Sequence, residues 1–463
     1  MGQPQLDIHA AQMEQIRSLR SQMRGQVLCG NEDGYDAARS IHNGMIDHRP
    51  AVIAQCHGAA DVIRALGFAR NRGLPISIRG GGHGVTGFAV CDAGVMIDLS
   101  RMNAVRVDPF HRTARAGGGA VWGDFDDETQ AFGLATTGGL VRTTGIAGLT
   151  LAGGHGFLVR RFGLACDNLI SADIVTAEGQ LLAASDMEQP DLFWALRGGG
   201  GNFGIVTSFQ YRLHKLGPVL GGLVLYPMSQ VAGLLLTYDE FLRSAPDELG
   251  ALAAIGTLPD GTKAGIGLFC YSGEAETGER LLAPIRAFGP PMADQVTVMP
   301  YTALQSIVEN FNPRGLRNYW KTVYVESLSA EAIRIMFEHY AVVPAPHSHI
   351  VVYSLGGAVT RVADESTAVS HRDARHAIVI IGMWANASED EKNIRWVREL
   401  SHMLEPFATA GFYPNYDADA RPDQVVNAFG PEKYARLAAI KAKYDPANVF
   451  CLNQNIRPAG ASA

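Results

Sequence analysis

Arg79-Gly80-Gly81-Gly82-His83-Gly84 is the stretch that decides the fold, because three consecutive glycines follow directly on an apolar run. The preceding residues, Leu74–Ile78, have the composition of a β-strand. A strand that ends in glycines lets the backbone approach a ligand with no side chains in the way. Successive free N–H groups in such a loop form an anion-binding concavity suited to a pyrophosphate. His83 is then a candidate for contact with the ligand and for covalent attachment to it.

Length, charge and cysteine usage limit the class of protein. A chain of 463 residues is too long for one ordinary core, so we expect two or more domains. The net charge of -7 argues against a nucleic-acid partner, which usually requires a basic face. The six cysteines form no CxxC pair, which argues against a zinc site and favours free thiols in a reducing compartment.

Two further features bear on location. No stretch approaches about 18 uninterrupted apolar residues, so no membrane span is expected. The polar segment Met1–Arg24 has no apolar core of the kind found in signal peptides. The expected location is therefore cytoplasmic.

Glycine clusters recur through the first half of the chain. After the first cluster come Gly117–Gly119, Gly138–Gly156 and Gly198–Gly201. One cluster alone is more often a turn than a phosphate cradle, but four of them fit several edges of one large, elongated, anionic cofactor. The first cluster is not a Rossmann fingerprint, because no helix and no acidic residue follow at the right distance. It is not a Walker loop either, since Gly-Lys-Ser/Thr does not occur.

The pattern changes near Gly217, where glycine clusters become rarer and longer strands alternate with helices. Apolar runs predict strands at Leu223–Tyr226, Ala264–Phe269, Ile350–Leu355 and Ala377–Met383. Periodicity predicts helices at Gln230–Ser244, Ala330–Tyr340 and Asp390–Glu405. The chain is thus expected to be α+β, with a second domain built from an antiparallel sheet and helices on one face.

A set of longer motifs extends from the first glycine loop almost to the end of the chain. In order they are Arg79–Gly84, Val95–Ser100, Thr144–Gly156, Gly163–Asn168, Asp191–Gly204, Tyr444–Phe450 and Asn453–Pro458. With these motifs the chain resembles the FAD-linked oxidases of the vanillyl-alcohol oxidase/p-cresol methylhydroxylase (VAO/PCMH) superfamily, and in particular the berberine-bridge-enzyme-like group.

The resemblance implies a two-domain VAO/PCMH-type fold. Residues 1–215 and 411–463 would form the FAD-binding domain, and residues 216–410 would form an inserted substrate-binding domain with an antiparallel sheet and covering helices. The residues that the resemblance assigns to FAD are Arg79, Gly80, Gly81, Gly82, His83, Gly84, Gly138, Gly139, Thr144, Gly145, Gly148, Gly153, Gly154, His155, Gly156, Asn202, Gly204, Ile205, Val206, Asn453 and Asn455.

The same resemblance implies a covalent flavin. His83 stands where the family attaches the flavin 8α-methyl group to a histidine ring nitrogen. Many relatives add a second link from a cysteine, but Val141 stands at that position here and no nearby cysteine replaces it. We therefore expect FAD to be attached through His83 alone.

On the substrate side, the family pattern Tyr-x-Asn-x corresponds to Tyr413-Pro414-Asn415-Tyr416. This match makes Tyr416 the candidate base and Tyr413 its neighbour near the flavin ring. A free tyrosine has a pKa near ~10, so a base role requires a cation or strong hydrogen-bond donors to stabilise the phenolate. Some relatives carry a catalytic carboxylate on a strand of the substrate domain, but the run Ala377–Ile381 contains none, which indicates a more apolar pocket.

The function implied by the resemblance is that of an FAD-dependent oxidase. Such an enzyme takes a hydride from an alcohol, an amine or a natural-product intermediate and reduces oxygen to hydrogen peroxide. We expect it to act in secondary metabolism, as a monomer or homodimer, without nucleic acid, membrane or metal. Two alternatives stay open: a flavin-bearing small-molecule-binding or resistance protein with little turnover, and a dehydrogenase that uses another electron acceptor.

Overall fold

The computed structural model describes residues 14–409, 413, 415–419 and 421–460. Residues 14–22 are helical.

The first 215 residues supply three small sheets. A four-stranded sheet has the spatial order Val27–Leu28, Val52–Gln55, Val95–Asp98 and Ile76–Arg79, and its last three strands are parallel. A five-stranded antiparallel sheet has the order Val105–Asp108, Thr113–Gly117, Ile205–Arg212, Leu169–Val175 and Leu181–Ser185. Leu134–Ala135 pairs with His214–Lys215.

A fourth sheet, antiparallel throughout, draws all eight strands from the region 219–384. Its order is Ala293–Asp294, Val219–Pro227, Lys263–Tyr271, Leu249–Thr257, His349–Ser354, His376–Trp384 and Arg317–Val325, and Thr297–Met299 also pairs with Val219–Pro227. The four strands that the sequence predicts here are present. Leu249–Thr257 and Arg317–Val325 were not predicted, because small residues or scattered polar residues interrupt their apolar pattern.

Helices cover the sheets and fill the connections between them. Those before residue 215 are Tyr35–Arg39, Ala59–Arg70, Trp122–Gln130, Ile146–Leu151, Val159–Phe162 and Pro190–Leu196. Those after it are Val231–Ser244, Ala275–Arg286, Tyr301–Ser306, Ala330–Ala341, Ala358–Arg361, Asp390–Leu404, Pro422–Phe429 and Pro431–Tyr444. None of the helices in these ranges is long and apolar enough to cross a bilayer.

The two faces of the large sheet bury different partners. Along strand Leu249–Thr257, Ala251, Ala253 and Ile255 pack in the core beneath the helices Val231–Ser244 and Ala330–Ala341. Leu252 and Ala254 alternate with them and join a separate apolar cluster on the opposite face. Because side chains alternate along a strand, one sequence provides both a helix-covered core and a second apolar face. That second face is turned toward the glycine loops.

A buried ion pair fastens the C-terminal segment to the glycine-rich domain. Lys441, on the helix Pro431–Tyr444, and Asp445 are both fully buried, with 2.6 Å between Nζ and Oδ2. The Lys441 ammonium also donates to the carbonyls of Asn202 (2.7 Å) and Phe450 (2.9 Å). Asp445 in turn accepts the backbone N–H groups of Val449 and Phe450. Both charges are thus compensated by hydrogen bonds, which a buried ion pair needs to persist.

A second polar contact lies between the helices Trp122–Gln130 and Tyr301–Ser306, which come from different halves of the chain. The buried Gln305 amide donates to Asp126 Oδ2 (2.9 Å) and to the carbonyl of Gly139 (3.0 Å). The second oxygen of Asp126 has no partner among the described residues. Burial raises the pKa of Asp126 to about 7.

Asp126→Asn is expected to flatten the dependence of stability on pH. A carboxyl group whose pKa is raised on folding contributes stability that is fully present below its unfolded pKa of about 4 and is lost as pH rises through 7. The slope from this one group is at most about 1.4 kcal/mol per pH unit. Between pH 5 and pH 8, the free energy of unfolding measured with urea should fall further for the wild type than for the variant. An equal fall in the two proteins would contradict a raised pKa of Asp126.

Candidate functional site

A cavity of about 1000 Å³ lies between the glycine loops and the free apolar face of the large sheet. One half is lined by backbone from loops near residues 80–84, 139–148, 198–206 and 452–454. The other half is lined by side chains from the sheet, namely Leu223, Leu252, Ala254, Ile266, Leu268, Trp320, Val351, Tyr353, Val379 and Ile381. The cavity therefore has a polar backbone half and an apolar side-chain half.

The loop Gly80–Gly84 is shaped by a close approach of two backbones. A Cβ added to Gly81 would lie 2.5 Å from the nitrogen of Gly145, and a Cβ on Gly145 would lie 2.4 Å from the nitrogen of Gly81. Gly82 has φ = 65°, which L side chains rarely adopt. Glycine is thus required here for packing and for conformation, independently of any ligand.

Other glycines face open space. A Cβ on Gly148 or Gly201 would meet nothing within 4 Å, and one on Gly84 would meet only the Thr86 hydroxyl at 4.0 Å. All three residues line the cavity. A side chain at these positions would occupy the cavity, so the absence of side chains keeps a cradle free for a ligand that lies against the backbone.

Two buried polar atoms in the cavity wall lack partners among the described residues: His83 Nε2 and Asn453 Oδ1. An unsatisfied buried polar atom costs about 1–3 kcal/mol, so these two atoms are candidates for hydrogen bonds to a bound ligand. A cavity of this volume, a glycine cradle and free hydrogen-bonding atoms together fit a dinucleotide such as FAD.

Most of the residues that the sequence assigns to the cofactor come together in this cavity. Those in its wall are Gly80, Gly81, Gly82, His83, Gly84, Gly139, Thr144, Gly145, Gly148, Asn202, Gly204, Ile205, Val206 and Asn453, together with Tyr413 and Tyr416 on the substrate side. The residues come from five separated parts of the chain, which explains why several glycine clusters are needed.

The other assigned residues are not among those that line the cavity, so their contact with the cofactor stays a prediction. The Arg79 guanidinium turns back to the carbonyl of Ala38. Gly138 and Gly156 pack against each other, since a Cβ on Gly156 would lie 1.8 Å from the Gly138 oxygen. Asn455 lies beside a smaller, neighbouring cavity.

Gly153, Gly154 and His155 also lie outside the wall. Gly153 and Gly154 have φ values of 112° and 86°, which let the chain turn sharply beneath the cavity. The Gly154 N–H donates to the Tyr413 hydroxyl (3.1 Å). His155 packs behind the tyrosines, and burial lowers its pKa to about 4, so its imidazole is neutral at neutral pH.

The two predicted substrate-side tyrosines belong to one aromatic cluster around His155. Ring centroids are 5.0 Å apart for His155 and Tyr413, 5.5 Å for His155 and Tyr416, and 4.8 Å for the two tyrosines. Trp320 and Tyr353 complete the cluster at 5.5 and 6.4 Å from Tyr416. Tyr413 also accepts a hydrogen bond from the Asn415 amide (3.2 Å), so its hydroxyl is held on two sides.

The surroundings of Tyr416 favour the protonated phenol over the phenolate. Burial and the neighbouring Tyr353 and Tyr413 raise its pKa well above 10, and no cation is among the causes. The pKa of Tyr353 is raised to about 12 by burial. Lys321, which follows Trp320 on its strand, turns to the opposite side of that strand and pairs with Asp417 (2.6 Å) and Asp419 (2.6 Å). Lys321 therefore anchors the segment that carries Tyr416 and does not supply a cation to its hydroxyl.

Sequence reasoning missed most of the apolar half. Leu252, Ala254, Ile266 and Val351, for example, belong to no motif in the sequence. Their strands are apolar on both faces, so no alternation marks the face that lines a cavity. The two-residue spacing of Leu252 and Ala254, repeated in neighbouring strands, is the only signal, and the sheet order is needed to interpret it.

The position expected for a second flavin link is also in the wall. Val141 lines the cavity, whereas none of the six cysteines, all of which are described, does so. Cys166, the cysteine nearest in sequence, is fully buried.

Comparison with known proteins agrees with this geometry. Residues 50–185 match the family model described as an FAD binding domain, and residues 412–457 match the model described as berberine and berberine like. The (R)-6-hydroxynicotine oxidase of Paenarthrobacter nicotinovorans is 34% identical over 95% of this chain and 98% of its own length. An FAD-linked oxidoreductase of Dictyostelium discoideum is 31% identical over 93% of both chains.

Solved structures give the same result. The 6-hydroxy-D-nicotine oxidase of Arthrobacter nicotinovorans superposes with a TM-score of 0.87 at 31% identity, covering 94% of this chain and 98% of its own. A berberine-bridge-enzyme-like protein of Physcomitrella patens superposes with a TM-score of 0.87 at 22% identity, covering 96% of this chain and 100% of its own, which supports the assignment of the fold. The chain therefore belongs to the berberine-bridge-enzyme-like FAD-linked oxidases of the VAO/PCMH superfamily, and it is an FAD-dependent oxidase.

Proposed function

We propose that this oxidase carries its FAD on His83 and oxidises a small, neutral, largely apolar amine in the apolar half of the cavity. When bound, FAD accepts a hydride from the substrate and passes two electrons to oxygen, with release of hydrogen peroxide. The observation that carries the substrate class is the uncharged sheet face above the flavin half.

The residues that would hold FAD are those of the glycine half. The Gly80–Gly84 loop and Gly145 offer backbone N–H groups to the phosphates, and Asn453 offers a side-chain oxygen without a protein partner. His83 is the residue proposed for attachment. Burial lowers its pKa to about 3, with His42 and Arg314 acting in the same direction, so the imidazole is neutral and keeps one unprotonated, nucleophilic ring nitrogen. Val141 in the wall supports attachment at one residue only.

The polarity of the cavity supports a neutral substrate. Asp260 is the only Asp, Glu, Lys or Arg among its described lining residues, and it lies on the turn between the strands Leu249–Thr257 and Lys263–Tyr271. His347 lies in a loop, and His349 begins the strand His349–Ser354. A sugar needs many polar partners, because a buried hydroxyl without a hydrogen bond is costly. The aliphatic and aromatic lining provides few, so the proposal favours apolar ring systems over oligosaccharides.

The same residues favour amines over alcohols. Hydride removal from an alcohol requires a base for the hydroxyl proton. The described residues around Tyr416 are phenols, an indole and a neutral imidazole, and Tyr416 itself stays protonated. A neutral amine has a lone pair that assists hydride loss without prior deprotonation. We therefore propose that the Tyr416 hydroxyl orients the substrate through a hydrogen bond, and that Tyr413, fixed by Gly154 and Asn415, supports it.

Tyr416→Phe is expected to slow flavin reduction more than it weakens substrate binding. The ring and its packing on Trp320 are retained, whereas the hydroxyl that orients the substrate is lost. Loss of one such hydrogen bond corresponds to about a tenfold decrease in the reduction rate. Anaerobic stopped-flow measurements over a range of substrate concentrations separate the two effects. An unchanged reduction rate would remove Tyr416 from the proposed mechanism.

A substrate panel tests the proposal directly. Alkylamines that carry an aromatic ring and a C–H bond next to the nitrogen, the matched alcohols and oligosaccharides are compared by peroxide release in air and by bleaching of the flavin band without oxygen. The proposal expects the amines to bleach the flavin fastest, with the rate rising as pH deprotonates the free amine. Faster bleaching by alcohols or oligosaccharides would contradict the substrate class, and no bleaching by any compound would favour a binding or resistance role. Action in the cytoplasm and in secondary metabolism remains a prediction from the sequence.

A further inference from the structure

His42 has a position that neither the glycine loop nor the substrate cavity explains. It is 4% exposed, and its ring stacks on the ring of His83 with centroids 3.9 Å apart and planes inclined by 19°. Neither Nε2 has a hydrogen-bond partner among the described residues. Two adjacent imidazoles without partners are costly to bury, so a purely structural role would be served better by an apolar pair.

The backbone holds His42 firmly in this place. Its N–H donates to the carbonyl of Gly82 (2.9 Å), within the loop that carries His83. Its carbonyl accepts the N–H of Gly315 (3.0 Å), from the substrate-binding half of the chain. His42 is therefore fixed to both parts of the protein, and its ring fixes one face of His83.

The electrostatic surroundings keep both rings uncharged. Burial lowers the pKa of His42 to about 4 and that of His83 to about 3, and the Arg314 charge acts on both in the same direction. When the lone pair of a His83 ring nitrogen forms a bond to carbon, positive charge develops on that ring. This charge appears in a buried place and near Arg314, where water does not stabilise it.

We propose that His42 is a positioning residue for flavin attachment, whose neutral ring face supports the positive charge that develops on His83. A cation over an aromatic face is stabilised, most strongly where water is excluded. The inference rests on the proposed attachment at His83 and goes beyond it, because it assigns a residue that does not touch the bond being formed.

The attachment step is balanced as follows in atoms and electrons. A bond forms between the His83 nitrogen and the 8α carbon of the flavin, one C–H bond of the methyl group breaks, and the imidazole loses its N–H proton. The broken C–H bond supplies two electrons and one proton, and the imidazole N–H supplies a second proton. Oxygen, which is also the second substrate in every oxidase turnover, takes up both electrons and both protons, so one hydrogen peroxide forms for each flavin attached.

Three variants distinguish the contribution of the aromatic ring face of His42 from that of its ring nitrogens. His42→Phe keeps an aromatic face but has no ring nitrogen. His42→Leu fills the space with an aliphatic side chain, and His42→Gln places a polar side chain there, so both lack an aromatic face. Full-length protein from riboflavin-limited cells is mixed with FAD in air without substrate. The flavin that stays with acid-precipitated protein and the peroxide released are followed with time. Total bound flavin and the melting temperature show whether each variant is folded.

Wild type and His42→Phe should attach flavin at similar rates, whereas His42→Leu and His42→Gln should be slower by about tenfold or more. Each attached flavin should release one peroxide. Equal rates in all four proteins would overturn the role of His42 while leaving attachment at His83 intact. A slow His42→Phe would show that a nitrogen is needed and would overturn the role of the ring face. Loss of flavin from wild-type protein would instead overturn the proposed attachment itself.

Discussion

His83→Ala is expected to release all of the flavin when the protein is precipitated with acid, whereas the wild-type pellet stays yellow. The only nucleophilic side chain that the described glycine half presents with a free, buried nitrogen is that of His83. None of the six cysteines lines the cavity, so no second bond retains the cofactor. The change is all-or-none and is measured by absorbance of the supernatant and by the mass of the intact protein.

His347→Ala is the matched control for this experiment. His347 also lines the cavity, but it is exposed, in a loop well separated along the chain from the glycine clusters. Its replacement should leave the pellet yellow. Release of flavin from wild-type protein, or its retention by His83→Ala, would show that the cofactor is held in another way.

Lys441→Met is expected to lower the free energy of unfolding by about 3–5 kcal/mol, because it leaves the buried Asp445 carboxylate and two carbonyls without their partner. Since Asn202 and the segment that follows Phe450 both contribute to the cavity, the flavin, although still attached through His83, should become exposed to water at a lower temperature than in the wild type. Thermal unfolding followed by flavin fluorescence measures both effects at once.

Lys443→Met provides the comparison on the same helix. Its side chain is 57% exposed and pairs with Asp191 at 2.8 Å. Exposed ion pairs contribute about 0–1 kcal/mol, so this variant should melt close to the wild type. Similar destabilisation by the two substitutions would mean that the buried Lys441–Asp445 pair contributes no more to stability than the exposed Lys443–Asp191 pair.

The glycine half of the site could be predicted from the sequence because its signal is local. Each cluster follows a strand or a helix, and glycine is required wherever backbone meets backbone, as at Gly81 and Gly145. The same local signal also covers Gly138, Gly153 and Gly156, which do not line the cavity. Glycines that pack against protein and glycines that face a ligand are identical in a sequence, and only the fold distinguishes them.

The substrate half could not be predicted to the same extent, because its signal is not local. Trp320 and Tyr416 lie 96 positions apart in the chain, yet their rings are 5.5 Å apart. The protonation of Tyr416 depends on this packing: burial among other rings raises its pKa, whereas the sequence pattern alone allows a phenolate base. The sequence motif identifies Tyr416 as a site residue, and its burial determines whether its hydroxyl is protonated.

The two-faced sheet has a consequence for how such enzymes diversify. Ala251, Ala253 and Ile255 keep the helices in place, whereas Leu252 and Ala254 face the cavity. Mutations at every second position can therefore change the binding surface, while the residues between them continue to stabilise the fold. Selection for new compounds can act on one set of residues with little penalty from the other, which makes this architecture a good starting point for directed evolution.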